Sequence, residues 1–105
     1  MKIPRQVKHW WQRRTRGWDD SVTYSLDKEI AKFVYPRLVR FKELNHGSPT
    51  TITKQRWDEI LDDIIYAMEI YSVGVWEYIG DDKADWKRVK RGLRAFGNWF
   101  PHLWT

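Results

Sequence analysis

Apolar residues recur at helical spacing through most of this chain. Between Ser25 and Leu44, the residues Leu26, Ile30, Phe33, Val34, Leu38, Phe41 and Leu44 share one stripe of a helix, with Lys28, Lys32, Arg37, Arg40 and Lys42 mostly off it. A helix of that length is about 30 Å long, roughly the diameter of a small domain. The stretch is therefore expected to be the element the others pack around. Pro36 lies in its middle. It has no N–H for the carbonyl of Lys32 and its ring crowds that carbonyl, which predicts a kink or a break.

Before it, Pro4 suits a first helical position and Gly17 a C-terminal cap. Between them Val7, Trp10 and Trp11 share a face with Arg14, opposite Arg5, Lys8, Arg13 and Arg16, so residues 4–16 read as a short amphipathic helix. Short isolated helices are marginal in water, so this one must dock on something. Asp19 or Asp20 is placed to start a brief helical turn through Tyr24, and Ser25 or Asp20 to start the long helix. Gly47 and Pro49 end that helix.

Thr53 is a good N-cap, Ile52 can staple onto Trp57, and the next helix starts at Lys54. Trp57, Ile60, Leu61, Ile64, Met68 and Tyr71 form its face, and Ile65 and Ile70 widen it, which predicts contacts on two sides. Residues 75–79 read first as helix continuing to Gly80, with a β-branched, aromatic strand as the alternative. Asp81 or Asp82 caps the last helix, with Asp85 in its first turn and a stripe of Trp86, Val89, Leu93, Phe96 and Phe100. Gly97 and Pro101 end it. The fold class is all-α: a small helical bundle of three long helices plus a short N-terminal amphipathic arm. One domain holds the arm (1–18), the central helix (19–46), an acidic helix (53–79), a basic helix (82–98) and a tail (99–105).

Composition changes this picture in two ways. There are eight tryptophans in 105 residues. So small a monomer cannot fully bury that many indoles, so some are expected to face a ligand or a partner chain. The net charge of +5 is also unevenly spread. Residues 1–16 carry six bases and no acid, residues 57–82 eight acids and no base, and residues 83–105 six bases against Asp85. Basic ends around an acidic middle suggest helices held partly by charge. With no cysteine there is neither a disulfide framework nor thiolate chemistry. No apolar run is long enough to cross a bilayer and MKIPRQVKHWWQRR lacks the apolar core of a secretory signal, so a soluble intracellular protein without membrane contact is expected.

Catalytic signatures are scarce: no Gly-rich phosphate loop, no HExxH and no nucleophile elbow. His9, His46 and His102 are far apart and read as ordinary surface or interface histidines. Asp58/Asp62 and Glu59/Asp63 are pairs four apart on a helix and could hold Mg²⁺, but no second acidic motif completes an octahedral site. An Arg-paired helix face is the simpler reading, and no cofactor is expected. The combination of bases with aromatic rings points further. Trp10, Trp11, Arg13, Arg14, Arg16 and Trp18 lie close together; Lys87, Arg88, Lys90, Arg91 and Arg94 form a second cluster, and Lys32, Arg37 and Arg40 a third. Guanidinium forks suit phosphate and indole faces suit nucleobases. Three clusters from three helices could converge on one anion. The opposing reading makes the tryptophans core and pairs the arginines with the acidic helix.

The segments Arg16-Gly17-Trp18-Asp19-Asp20, Tyr24-Ser25-Leu26-Asp27, Ile30-Ala31-Lys32-Phe33, Pro36-Arg37-Leu38 and Arg40-Phe41-Lys42-Glu43 resemble a family of small helical tailed-phage proteins. Thr53, Trp57-Asp58-Glu59-Ile60-Leu61, Ile64 and Ala67 are similar too, so the likeness covers about residues 9–70. Those proteins usually have no assigned function. A phage origin implies action against host defence in the host cytoplasm, by sequestering a nucleotide messenger or blocking a defence protein, in some cases from pockets between subunits. The expectation is a non-enzymatic homo-oligomer that sequesters a small anionic nucleotide through Arg14, Arg16, Trp18, Lys32, Arg37 and Arg40, with Arg91 as a further contact. The alternatives are a nucleic-acid-binding module, a protein–protein inhibitor or virion-assembly factor, and a metal-dependent hydrolase built on Asp58 and Asp62.

Overall fold

In the computed structural model of the protein, residues 4–44, 47–74 and 84–104 are described, apart from the Arg16 side chain. They are all-α. There are four α-helices, α1 (Arg5–Arg16), α2 (Leu26–Leu44), α3 (Lys54–Val73) and α4 (Trp86–Trp99), with a 3₁₀ turn at Asp20–Thr23 between α1 and α2, another at Phe100–His102 after α4, and no strand among the described residues. The last three helices form the bundle and α1 is the arm.

The organising helix is α3, not the stretch at 25–44. It packs against α2 on one side and α4 on the other, as its widened apolar face predicts. Trp57, Ile60, Leu61, Ile64, Ala67, Met68 and Ile70 are all buried along it. Full burial of one such aliphatic side chain contributes about 1.5–3 kcal/mol, so α3 supplies most of the bundle's hydrophobic stabilisation. Thr53 caps it, its Oγ1 accepting from the Arg56 N–H at 3.1 Å. It closes at Val73 rather than running to 79, with Gly74 at φ +108°. Residues 75–83, and with them the choice between helix and strand, lie outside the described residues; the cap of the last helix is Asp85, not Asp81 or Asp82.

On α2 the expected single stripe divides. Ala31 and Leu38 are buried and Val34, Tyr35 and Phe41 pack beside them, whereas Leu26, Ile30, Phe33 and Leu44 are exposed. The helix packs chiefly on α3, so one narrow face suffices for the core. α2 also runs unbroken through Pro36. Pro36 is exposed, which leaves the unpaired Lys32 carbonyl on the outer side of the helix.

The cap of α4 is Asp85, whose Oδ1 accepts from the Arg88 N–H at 3.2 Å while its own N–H donates to the Tyr66 hydroxyl at 2.8 Å. The helix passes through Gly97 and ends at Trp99. Its buried face is Val89, Gly92 and Ala95, flanked by Phe96 and Trp99; Leu93 and Phe100, expected on the stripe, are exposed. The reason is Gly92. A Cβ there would lie 2.1 Å from the Asp63 carbonyl oxygen and 2.8 Å from the Ala67 Cβ. Small residues let the two backbones approach and turn the large ones aside. Trp99 then meets the buried Trp57 edge-on at 5.6 Å, and the Trp57 Nε1–H has no hydrogen-bond partner among the described residues.

The arm docks with its polar side. Arg13 pairs with Asp19, the one buried charged group among the described residues; His9 Nδ1 lies 3.8 Å from Asp19, and Lys8 Nζ 3.1 Å from Asp20. The Asp20 N–H donates to Gln12 Oε1 at 2.6 Å. Gly17 closes the helix at φ +81°, its N–H donating to the Arg13 carbonyl. Val7, Trp10 and Trp11, on the opposite side, are exposed.

Two outcomes test this fold. Gly92→Ala must part α3 from α4 against backbone, and overpacking of this kind is expected to cost about 3 kcal/mol, read as a lower urea midpoint. The second concerns the arm. The Ser21 hydroxyl bond, helped by Arg13 and the Ser21 N–H, outweighs burial and lowers the Asp19 carboxyl from 3.8 to about 2. The Ser21 bonds are local to the turn and the Arg13 part is what docking adds, so ionised Asp19 favours the docked arm above its ordinary pKa and that contribution is lost as pH falls towards about 2. Amide NMR signals of α1 should therefore be constant above about pH 4 and shift to undocked positions in acid, and Asp19→Asn should shift them already at neutral pH.

Candidate functional site

The cations of α4 border a groove against α3. The groove, of about 520 Å³, is lined by Ile52, Arg56, Ile60 and Asp63 on one wall and by Lys87, Lys90, Arg91, Arg94, Ala95, Asn98 and Trp99 on the other. It follows from the α3–α4 seam. With Val89, Gly92 and Ala95 turned into the core, Lys87, Lys90, Arg91, Arg94 and Asn98 fall on the adjoining open face at steps of three and four residues.

Five cationic side chains face a single carboxylate in this groove. Arg91 donates to Asp63 through Nε at 2.8 Å and Nη2 at 3.3 Å, and Arg88 reaches the same carboxylate through Nε at 3.0 Å while stacking on Tyr66 at 4.5 Å. Burial works against ionisation of Asp63, but the hydrogen bonds and charges of Arg91 and Arg88 outweigh it and hold the carboxyl below its ordinary pKa. The same hydrogen bond raises Arg91 above the ordinary guanidinium value. Asp63 thus acts as a fixed counter-ion and is poorly suited to accept protons. Arg56 pairs with Glu59 at 3.1 Å. Lys87, Lys90 and Arg94 have no ion-pair partner among the described residues. Their ammonium and guanidinium groups can hold phosphate oxygens, and the Trp99 ring offers an aromatic wall beside them.

Of the seven residues expected to bind the ligand, only Arg91 lines this groove. Arg14 lies over Trp10 at 5.2 Å on the arm, where Trp18 is also exposed, and the Arg16 side chain lies outside the described residues. Lys32 borders a shallow hollow on α2 with Leu26, Ile30 and Phe33. Arg37 stacks on Phe33 at 3.8 Å and donates to the Phe33 carbonyl at 2.9 Å. Arg40 pairs with Glu43 at 3.0 Å. Within one chain the three basic clusters therefore do not converge. On the arm Arg13 and Lys8 are taken by Asp19 and Asp20, and on α2 Arg37 and Arg40 turn to Phe33 and Glu43.

The groove residues Arg56, Asp63, Asn98 and Trp99 were not among those expected. Extending the three-and-four spacing of α4 beyond Arg94 would have reached Asn98, but Gly97 and Pro101 read as a helix end and placed Trp99 in the tail. Four acidic residues of α3 are ion-paired: Asp58 with Lys54 and Asp62 with Lys42, each at 2.5 Å, besides Glu59 and Asp63. No group of three metal-ligating side chains occurs among the described residues. No helix among them is long and apolar enough to cross a membrane.

Asp63→Asn is expected to lower stability by about 2 kcal/mol in urea unfolding, because hydrogen bonds to two charged partners are lost and like charges on α4 are left uncompensated. No family model, curated protein or solved structure matches the chain, so the groove's own chemistry is the guide to function.

Proposed function

We propose that the protein binds a small anionic ligand of the nucleotide class in the α3–α4 groove and holds it without chemical change. The observation that carries this reading is a groove where five cationic side chains meet one carboxylate and one indole, with three of the cations lacking an ion-pair partner. A volume of about 520 Å³ falls within the range of small-molecule sites, commonly about 300–1,000 Å³. Lys87, Lys90, Arg91 and Arg94 would take the phosphates and Trp99 the base. The resemblance of residues 9–70 to small tailed-phage proteins makes a host defence messenger the ligand to try first, with sequestration in the host cytoplasm as the outcome.

A second reading is favoured by how open this face of α4 is: Lys87, Lys90 and Arg94, all exposed, could instead track a nucleic-acid backbone. Salt separates the two, because neutralising several backbone phosphates makes affinity fall steeply with added salt.

Calorimetric titration of the full chain with cyclic dinucleotides and ADP-ribose derivatives is expected to give saturable heat for at least one of them. Lys90→Ala or Arg94→Ala should weaken that binding by about tenfold or more, since each removes a phosphate contact. Lys32→Ala and Arg40→Ala should leave it unchanged. Absence of heat from every ligand, with folded protein, rejects the reading.

A further inference from the structure

Along the α3–α4 groove, charge and aromatic surface are segregated. Lys87, Lys90, Arg91 and Arg94 stand in one row on α4, which the helical rise makes about 10 Å long. Asn98 and Trp99 lie one turn further on. Among the described lining residues Trp99 is the one aromatic ring, and Asn98 the one neutral side chain that can hydrogen-bond. Trp99 is half-buried and meets the fully buried Trp57 edge-on, which makes it a fixed wall.

How much of that charge is already neutralised decides what fits. Arg56 is taken by Glu59, and Asp63 is shared by Arg91 and Arg88. Asp85, at the head of α4, also acts on Arg91, while Asp62 is occupied by Lys42. Six bases at and beside the groove thus face Glu59, Asp63 and Asp85, an excess of three positive charges. Arg91 is held through Nε and Nη2, so its Nη1 donors stay open to a ligand. A cyclic dinucleotide brings two bases and only two phosphodiester charges, so one base would find no ring and one cation no anion. A nucleoside triphosphate brings one base and about four charges in line.

We propose that the groove is built for a nucleoside oligophosphate, one base against Trp99 and Asn98 and a chain of three or more phosphates along the row from Arg94 to Lys87. The inference rests on the groove being a nucleotide site and names the class of nucleotide. The order of the row also sets the ligand's direction. Arg94, nearest Trp99, takes the phosphate next to the sugar, where a planar fork can hold two oxygens at once. Lys87 takes the terminal phosphate, the most highly charged, as a point charge. Asn98 can donate to and accept from the edge of the base.

Calorimetric titration of the full chain with AMP, ADP, ATP and cyclic di-AMP in one magnesium-free buffer tests this, because the base is the same throughout. Affinity is expected to rise about tenfold with each added phosphate, and ATP to bind at least tenfold more tightly than cyclic di-AMP. Lys87→Ala should cut the ATP-over-AMP ratio about tenfold, whereas Lys32→Ala should leave that ratio as it is. Inorganic tripolyphosphate should bind about tenfold more weakly than ATP, and Asn98→Ala should narrow that gap. Cyclic di-AMP binding as tightly as ATP overturns the inference and leaves the nucleotide reading standing, as does equal affinity for AMP and ATP. A single-stranded adenine oligonucleotide binding more tightly than ATP overturns it in favour of a nucleic acid. Silence from every probe removes both the inference and the reading beneath it.

Discussion

At the crossing of α3 and α4 the Asp63 carbonyl and the Ala67 methyl occupy the space a side chain at residue 92 would need. The groove between α3 and α4 follows from that contact. Because the backbones approach there, α4 buries Val89, Gly92 and Ala95 and leaves Lys87, Lys90, Arg91 and Arg94 on the open side facing α3. The same crossing puts Arg88 and Arg91, four and one residues before Gly92, within hydrogen-bond reach of the Asp63 carboxylate. Packing and electrostatics are set by one glycine together.

Asp63 has a limited capacity. One carboxylate, largely shielded from water, accepts from two guanidiniums and keeps its charge because they outweigh the effect of its burial. It leaves Lys87, Lys90 and Arg94 uncompensated. Like charges so close on one helix repel, and under the proposed function a bound anion would relieve that repulsion, adding a driving force beyond the contacts themselves. At the other end of the molecule Asp19 plays the comparable part, holding α1 by its cations so that its indoles face outward.

Which helices form was legible in the sequence, because caps and periodicity are local. Gly17, Asp19 and Thr53 do what their residue types and positions predict. The errors have a common source in assigning the core by side-chain size. Leu26, Ile30, Phe33 and Leu93 looked like core residues and are exposed, while Ala31, Gly92 and Ala95 make the seams. A small residue gains importance only from what lies opposite it, and that is tertiary information. The α3–α4 groove was hidden for the same reason. The basic character of residues 87–94 was visible, but its neighbourhood with Arg56, Asp63 and Trp99 depends on how closely the two helices cross. The arm and α2 cations were plausible phosphate ligands by type, yet Arg13 and Lys8 pair with Asp19 and Asp20, Arg14 lies over Trp10, and Arg37 and Arg40 turn to Phe33 and Glu43.

The central claim is that the α3–α4 crossing builds an anion site. The most direct measurement is a two-dimensional NMR titration of the labelled protein with a cyclic dinucleotide, following tryptophan indole and arginine side-chain N–H signals together. The account predicts that Trp99, Arg91 and Arg94 shift in concert and saturate, while Trp10 and Trp11 stay where they are. Shifts confined to the arm and α2, with Trp99 and Arg91 unmoved, would contradict it.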